Sequence, residues 1–144
     1  MKEKPDWLVE YEETLDDGQA VLYHYDKEGD ILEMFFQKGG GCGVELTEEI
    51  VLRYDIKTGK PLSLIFLCFS ALMQSTELGP LSFRLKLEEM PDDVRQTVLK
   101  IITTRPVNRF LKVLTYSPPQ AKRPVPITYV EKLPALALAQ GRVA

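Results

Sequence analysis

One histidine, two cysteines and two pairs of adjacent acids are the residues from which this chain would have to build a small catalytic or metal centre. His24 is the only imidazole, which excludes sites with several His ligands and any repeated His relay. His24, Asp26 and Asp30 offer a weak nitrogen and oxygen ligand set, but a strand histidine beside acidic turn residues reads as structural. Cys42 stands in Lys38-Gly39-Gly40-Gly41-Cys42-Gly43, where backbone N–H groups can gather around an anion. That run has no evident base for a thiol nucleophile, and it matches neither a phosphate loop ending Gly-Lys-Ser/Thr nor Gly-x-Gly-x-x-Gly before a helix. It reads as a flexible hairpin connection. Cys68 falls in the most apolar segment and reads as a small core hydrophobe. Glu48-Glu49 and Asp92-Asp93 are the spacing at which two carboxyls split their pKa values. Neighbours on a strand point to opposite faces, so Glu48 and Glu49 should diverge. Asp92 and Asp93 are expected at the positive end of a helix dipole. No catalytic residue, metal site or cofactor is therefore expected.

Cationic residues give a stronger signal. Arg95, Lys100, Arg105, Arg109, Lys112, Lys122 and Arg123 are interleaved with Phe110, Tyr116 and Tyr129. Cations can neutralise phosphates while aromatic faces stack unpaired bases. Arg105, Arg109, Lys112, Lys122 and Arg123 are the candidates for contact with nucleic acid or an acidic partner. The asymmetry runs through the whole chain: residues 1–72 hold 15 acidic and 7 basic residues, and residues 73–144 hold 6 and 11. Such polarity equally lets two halves attract one another, within one fold or across a dimer, and that reading is preferred. A net charge of −3 and a pI near 5.3 are unlike a dedicated nucleic-acid binder.

The elements that must position these residues follow from periodicity. Trp7, Val9 and Tyr11 alternate with Glu10 and Glu12, giving a half-buried strand that turns at Asp16-Asp17-Gly18. Runs 19–26 and 31–37 read as strands joined by Lys27-Glu28-Gly29-Asp30, and extended pattern resumes at 44–46 and 49–54. A turn over 55–61 leads into 62–69, apolar at nearly every position and so expected to be covered on both faces. Leu81, Phe83, Leu85 and Leu87 alternate with polar residues. Pro91, Asp92 and Asp93 open a helix over 91–104, whose stripe is Val94, Val98, Ile101 and Ile102. Residues 108–116 read as a strand, and 117–126, with four prolines, as a solvated connector.

The result is an α+β fold dominated by β: an antiparallel meander sheet of six or seven strands packed on one amphipathic helix. Residues 1–116 are assigned to one domain, and 117–144 to a Pro-rich, basic and partly extended C-terminal extension. With 144 residues and 44% hydrophobic content, the chain has the composition of a globular domain. Two cysteines are no disulfide framework, and the charged start Met1-Lys2-Glu3-Lys4-Pro5-Asp6 lacks a signal-peptide apolar run, so a cytoplasmic protein is expected.

Tyr25-Asp26-Lys27-Glu28-Gly29-Asp30-Ile31-Leu32, the acidic strand from Val44 to Tyr54-Asp55, and Gly59-Lys60-Pro61-Leu62-Ser63-Leu64-Ile65 carry a resemblance. Residues 23–70 are similar to domain-of-unknown-function family 2283, a family of small prokaryotic proteins. The resemblance implies a compact β-meander followed by a short helical or irregular piece, and an antitoxin-like inhibitor among its roles. It brings no catalytic residue. The N-terminal strand and the last 70 or so residues lie outside it. From the residues themselves, the expected function is a non-enzymatic interaction module. It binds another protein or a second copy of itself through a sheet edge or the C-terminal arm. The alternative is a small nucleic-acid-binding accessory protein that uses the basic C-terminal half. No membrane association is expected, since the most apolar run falls short of a bilayer span.

Overall fold

A computed structural model describes residues 6–70, 81–116 and 125–130. Alternation of inward apolar and outward polar residues builds six strands: β1 (Leu8–Thr14), β2 (Ala20–Asp26), β3 (Ile31–Phe35), β4 (Cys42–Glu45), β5 (Ile50–Tyr54) and β6 (Pro61–Phe66). They form one antiparallel sheet in the order β1-β2-β3-β6-β5-β4. Two three-stranded meanders are thus joined along β3 and β6. Tyr23, Tyr25, Leu32, Met34, Leu52, Leu64 and Phe66 line the inner face, and all are buried. β6 is less fully covered than its apolar sequence implies, because Ile65 on the outer face is only half-buried.

Turn chemistry sets the register. At the β1–β2 turn the Gly18 N–H donates to Leu15 O, and the Asp17 carboxylate accepts the Gln19 N–H. Between β2 and β3 the left-handed residue is Asp30, with φ of 55°. Its carboxylate accepts the Tyr25 hydroxyl at 2.7 Å and the Ser70 N–H at 3.0 Å. Burial resists the charge on Asp30, but the Ser70 and Tyr25 hydrogen bonds outweigh it and hold the carboxyl below the ordinary range. After β5 the Asp55 carboxylate accepts the N–H groups of Lys57 and Thr58.

The glycine run before β4 departs from expectation. Residues 42 and 43 already belong to β4, so the run does not end at Gly43. A Cβ on Gly41 would lie 2.2 Å from the Tyr54 carbonyl oxygen, so glycine serves here for close backbone approach. The stretches 44–46 and 49–54 are likewise not one extended run: a reversal at Leu46–Glu49 makes β4 and β5 a hairpin.

A second antiparallel sheet is formed by β7 (Ser82–Arg84), β8 (Leu111–Tyr116) and β9 (Val125–Val130), in the order β7-β9-β8. The expected β-dominated fold, with a six-stranded antiparallel meander sheet and one helix, is present, and these three strands form a further sheet beside it. Residues 125–130, assigned by sequence to the extension, are the middle strand of this sheet, with Thr128 and Val130 fully buried. The helix α1 (Asp92–Ile102) presents Val98, Ile101 and Ile102 inward, and it ends before the expected residue 104. Phe110, buried and 6.3 Å from the Phe36 ring, ties the start of β8 to the end of β3. Both sheets and α1 share one contiguous core.

Candidate functional site

The residues first singled out for chemistry do not converge. His24 and Asp26 lie on the outer face of β2, whereas Asp30 is engaged with Tyr25 on the inner face. His24 packs edge-on against Phe35, with Nε2 3.9 Å from the Glu10 carboxylate. Cys42 is paired across the hairpin with Tyr54. Contact with its thiol, and then burial, pushes the Tyr54 phenol up to about 12. Cys68 is a correction: it lies beyond the end of β6, exposed, at φ of 50°, and is no core residue. Glu48 and Glu49 are a second one, for they occupy a turn rather than a strand. The Thr47 hydroxyl accepts the N–H groups of Glu49 and Ile50 there and donates to the Glu49 carboxylate. Asp92 pairs with Arg95. Among the described residues no group of three or more His, Cys, Asp or Glu is arranged to hold a metal ion. No helix among them is long and apolar enough to cross a membrane.

The basic candidates separate into three groups. Arg105 donates to Asp16 at 2.7 Å and lies 3.4 Å from Asp17, and Arg109 lies 3.7 Å from Asp16. The hydrogen bond from Arg105 holds the Asp16 carboxyl below its ordinary range, although burial works weakly against it. Together with Lys86 and Glu45 at 3.0 Å, these contacts join the basic half of the chain to the acidic half inside one molecule. Lys112 is on β8, its ammonium donating to the Asn108 carbonyl. Lys122 and Arg123 lie outside the described residues. Of the interleaved aromatics, Phe110 is core and presents no face to a ligand, while Tyr129 is 36% exposed.

What gathers in their place is a sheet edge. β8 pairs with β9 on one side, and among the described residues no strand pairs with the other. Its sequence, LKVLTY, holds one charge, no proline and several residues of high strand propensity. Cross-strand partners share a face, so Lys112 with Tyr129 and Leu114 with the buried Ile127 lie on one face, while Leu111 and Val130 enter the core on the other. Leu114 is 52% exposed in the middle of the strand. The other edges differ. β1 carries Glu10, Glu12 and Glu13, β4 has four residues including Gly43, and β7 has three. Charge and shortness are the usual means of making an edge a poor template. A strand near 108–116 follows from the sequence, but the edge position of Leu114 does not, because periodicity does not reveal which strand ends a sheet.

Comparison with protein-family models, curated proteins and solved structures finds no match to this chain.

Proposed function

We propose that this protein is a non-enzymatic interaction module that takes up an additional strand on the β8 edge, from another protein or from a second copy of itself. The observation that carries this reading is the contrast among edges: of the four found among the described residues, only β8 combines length, apolar character and a lack of repelling charge. An edge strand offers a row of N–H and C=O groups, and main-chain hydrogen bonds to an incoming strand supply affinity. Leu114, flanked by Lys112 and Tyr129 on the outward face, offers the side-chain contact that selects the partner.

The test is the mass of the purified chain in solution, compared with that of Leu114→Glu. A dimer, or a stable complex with a protein from the source cell, is expected for the unaltered chain, and loss of it for the variant with its circular dichroism spectrum unchanged. A chain that stays a strict 16.4 kDa monomer and retains no protein would overturn the reading.

Nucleic-acid binding has one supporting observation, the placement of Lys112 opposite the exposed Tyr129 ring. The engagement of Arg105 and Arg109 by Asp16 weakens it. Affinity that falls steeply with salt would favour this second reading.

A further inference from the structure

A cleft of about 370 Å³ lies between the β5–β6 turn and the C-terminal half of α1, on a part of the molecule separate from the β8 edge. Its volume falls within the range of small-molecule sites. Lys60 of the turn, Lys100 of α1 and Arg105 beyond the helix supply three cations to its lining, which holds no Asp or Glu among the described residues. Pro61 and Ile101 supply an apolar surface between them.

The state of each cation matters more than the count. Lys60 and Lys100 make no ion pair among the described residues. Arg105 is held by Asp16 and Asp17, and both contacts are made through Nη1, which fixes its position while compensating its charge. The acids nearest in sequence are turned elsewhere. Asp55 accepts N–H groups of its own turn, and Asp93 lies one helical turn before Thr97, outside the lining. Thr97 and Thr104 also line the cleft, but their hydroxyl hydrogens go to helix carbonyls of Asp93 and Lys100, so the ammonium groups remain the donors.

One effect opposes an anion here. The C-terminal end of a helix carries roughly half a negative charge, felt over the last turn where Lys100 sits. Two uncompensated lysines exceed it and leave a local balance of about +1.5, close in size to the charge of a phosphate monoester at neutral pH.

We propose that this cleft binds a small phosphorylated molecule, with the phosphate between Lys60 and Lys100 and the organic part against Pro61 and Ile101. A cleft bounded by a turn and a helix suits a monoester better than a polymer, which would need a cationic track leading away from it.

Calorimetric titration of the full chain with inorganic phosphate, AMP and adenosine tests the proposal, with Lys60→Ala, Lys100→Ala and their double variant beside Lys112→Ala as a control outside the cleft. Phosphate and AMP should bind saturably, AMP more tightly, and adenosine not at all. The double variant should lose about tenfold or more in AMP affinity while keeping the melting midpoint of the unliganded chain, and Lys112→Ala should bind as the unaltered chain does. Absence of saturable binding by phosphate and AMP at about 10 mM would overturn the proposal. AMP binding equal in the double variant would do so too, as would a single-stranded oligonucleotide binding far more tightly than AMP and losing that affinity in Lys112→Ala.

Discussion

The two sheets solve the same problem in opposite ways. In the six-stranded sheet the outer face is knit by its own polar groups: Ser63 donates to Glu33 at 2.8 Å, Arg53 reaches both, and Arg53 also holds the Gly39 carbonyl. Its edges are acidic or short. The three-stranded sheet has two strands of six residues and one of three, and it leaves Leu114 and Tyr129 exposed on its outer face. Leu111, Phe83 and Val130 anchor this smaller sheet in the core that it shares with the larger one. The difference teaches where company is possible: the large sheet ends in acidic or short strands, whereas the small one is held through one face and, among the described residues, has no strand on the far side of β8.

The junction between them is the most direct place to break that arrangement. Phe110 is fully buried and stacks on Phe36, so Phe110→Ala removes a buried aromatic contact between the end of β3 and the start of β8. Truncating a buried phenylalanine costs about 3–5 kcal/mol, and a fall in melting midpoint on the order of 15 °C is expected by thermal denaturation. Hydrogen exchange should show the amides of β8 and β9 losing protection before those of β2 and β3. Equal loss in both sheets would mean that they do not differ in how they are held.

The same division explains what the sequence could show. β1, β2 and β3 alternate cleanly and are joined by turns rich in Asp and Gly, so local chemistry and tertiary position agree. The helix announced itself by Pro91, two aspartates and a stripe at the right period. β9 was hidden by proline, which argues against a central strand because it lacks an N–H. Pro126 is tolerated at the second position of β9, where its carbonyl accepts the Leu85 N–H and no donor is needed. Cys68 lies outside the core because β6 ends at Phe66 while the apolar composition continues, and Cys68 itself takes a left-handed φ of 50°. The edge position of β8 among the described strands and the cleft at Lys60 and Lys100 arise from elements distant in sequence. No local pattern encodes either one.

Tyr25 sharpens the account of the large sheet. Burial, and then the hydrogen bond to Asp30, pushes its phenol up to about 12. The fold therefore favours the neutral phenol over the charged one more strongly than the unfolded chain does, whose tyrosines ionise near pH 10. The stability so gained is fully present below about pH 10 and is lost as pH rises through about 12, a contribution of roughly 2 kcal/mol. Denaturant midpoints measured from pH 9 to 12 should fall for the unaltered chain and fall less for Tyr25→Phe. Tyr23, whose phenol burial and the Glu13 carboxylate also raise, keeps part of the slope in the variant. An identical slope in the two proteins would remove Tyr25 from the large sheet's pH response.

The smallest effect is expected where the charge asymmetry looks most structural. Arg105 contacts Asp16 and Asp17, but these side chains are 50%, 60% and 39% exposed, and solvent and salt screen attraction between such groups. Arg105→Ala should leave the melting midpoint nearly unchanged at physiological salt, and any difference should shrink further as salt is raised. A large, salt-insensitive drop would instead make the polarity of the chain a force that holds its halves together. If the drop is small, the pairing does something other than stabilise. Asp16 and Asp17 together compensate Arg105 at the rim of a cleft whose two lysines make no ion pair among the described residues, and Asp16 also faces Arg109. Acidic residues then limit where the basic half presents positive charge, and the small sheet is left to offer an edge that is apolar rather than cationic.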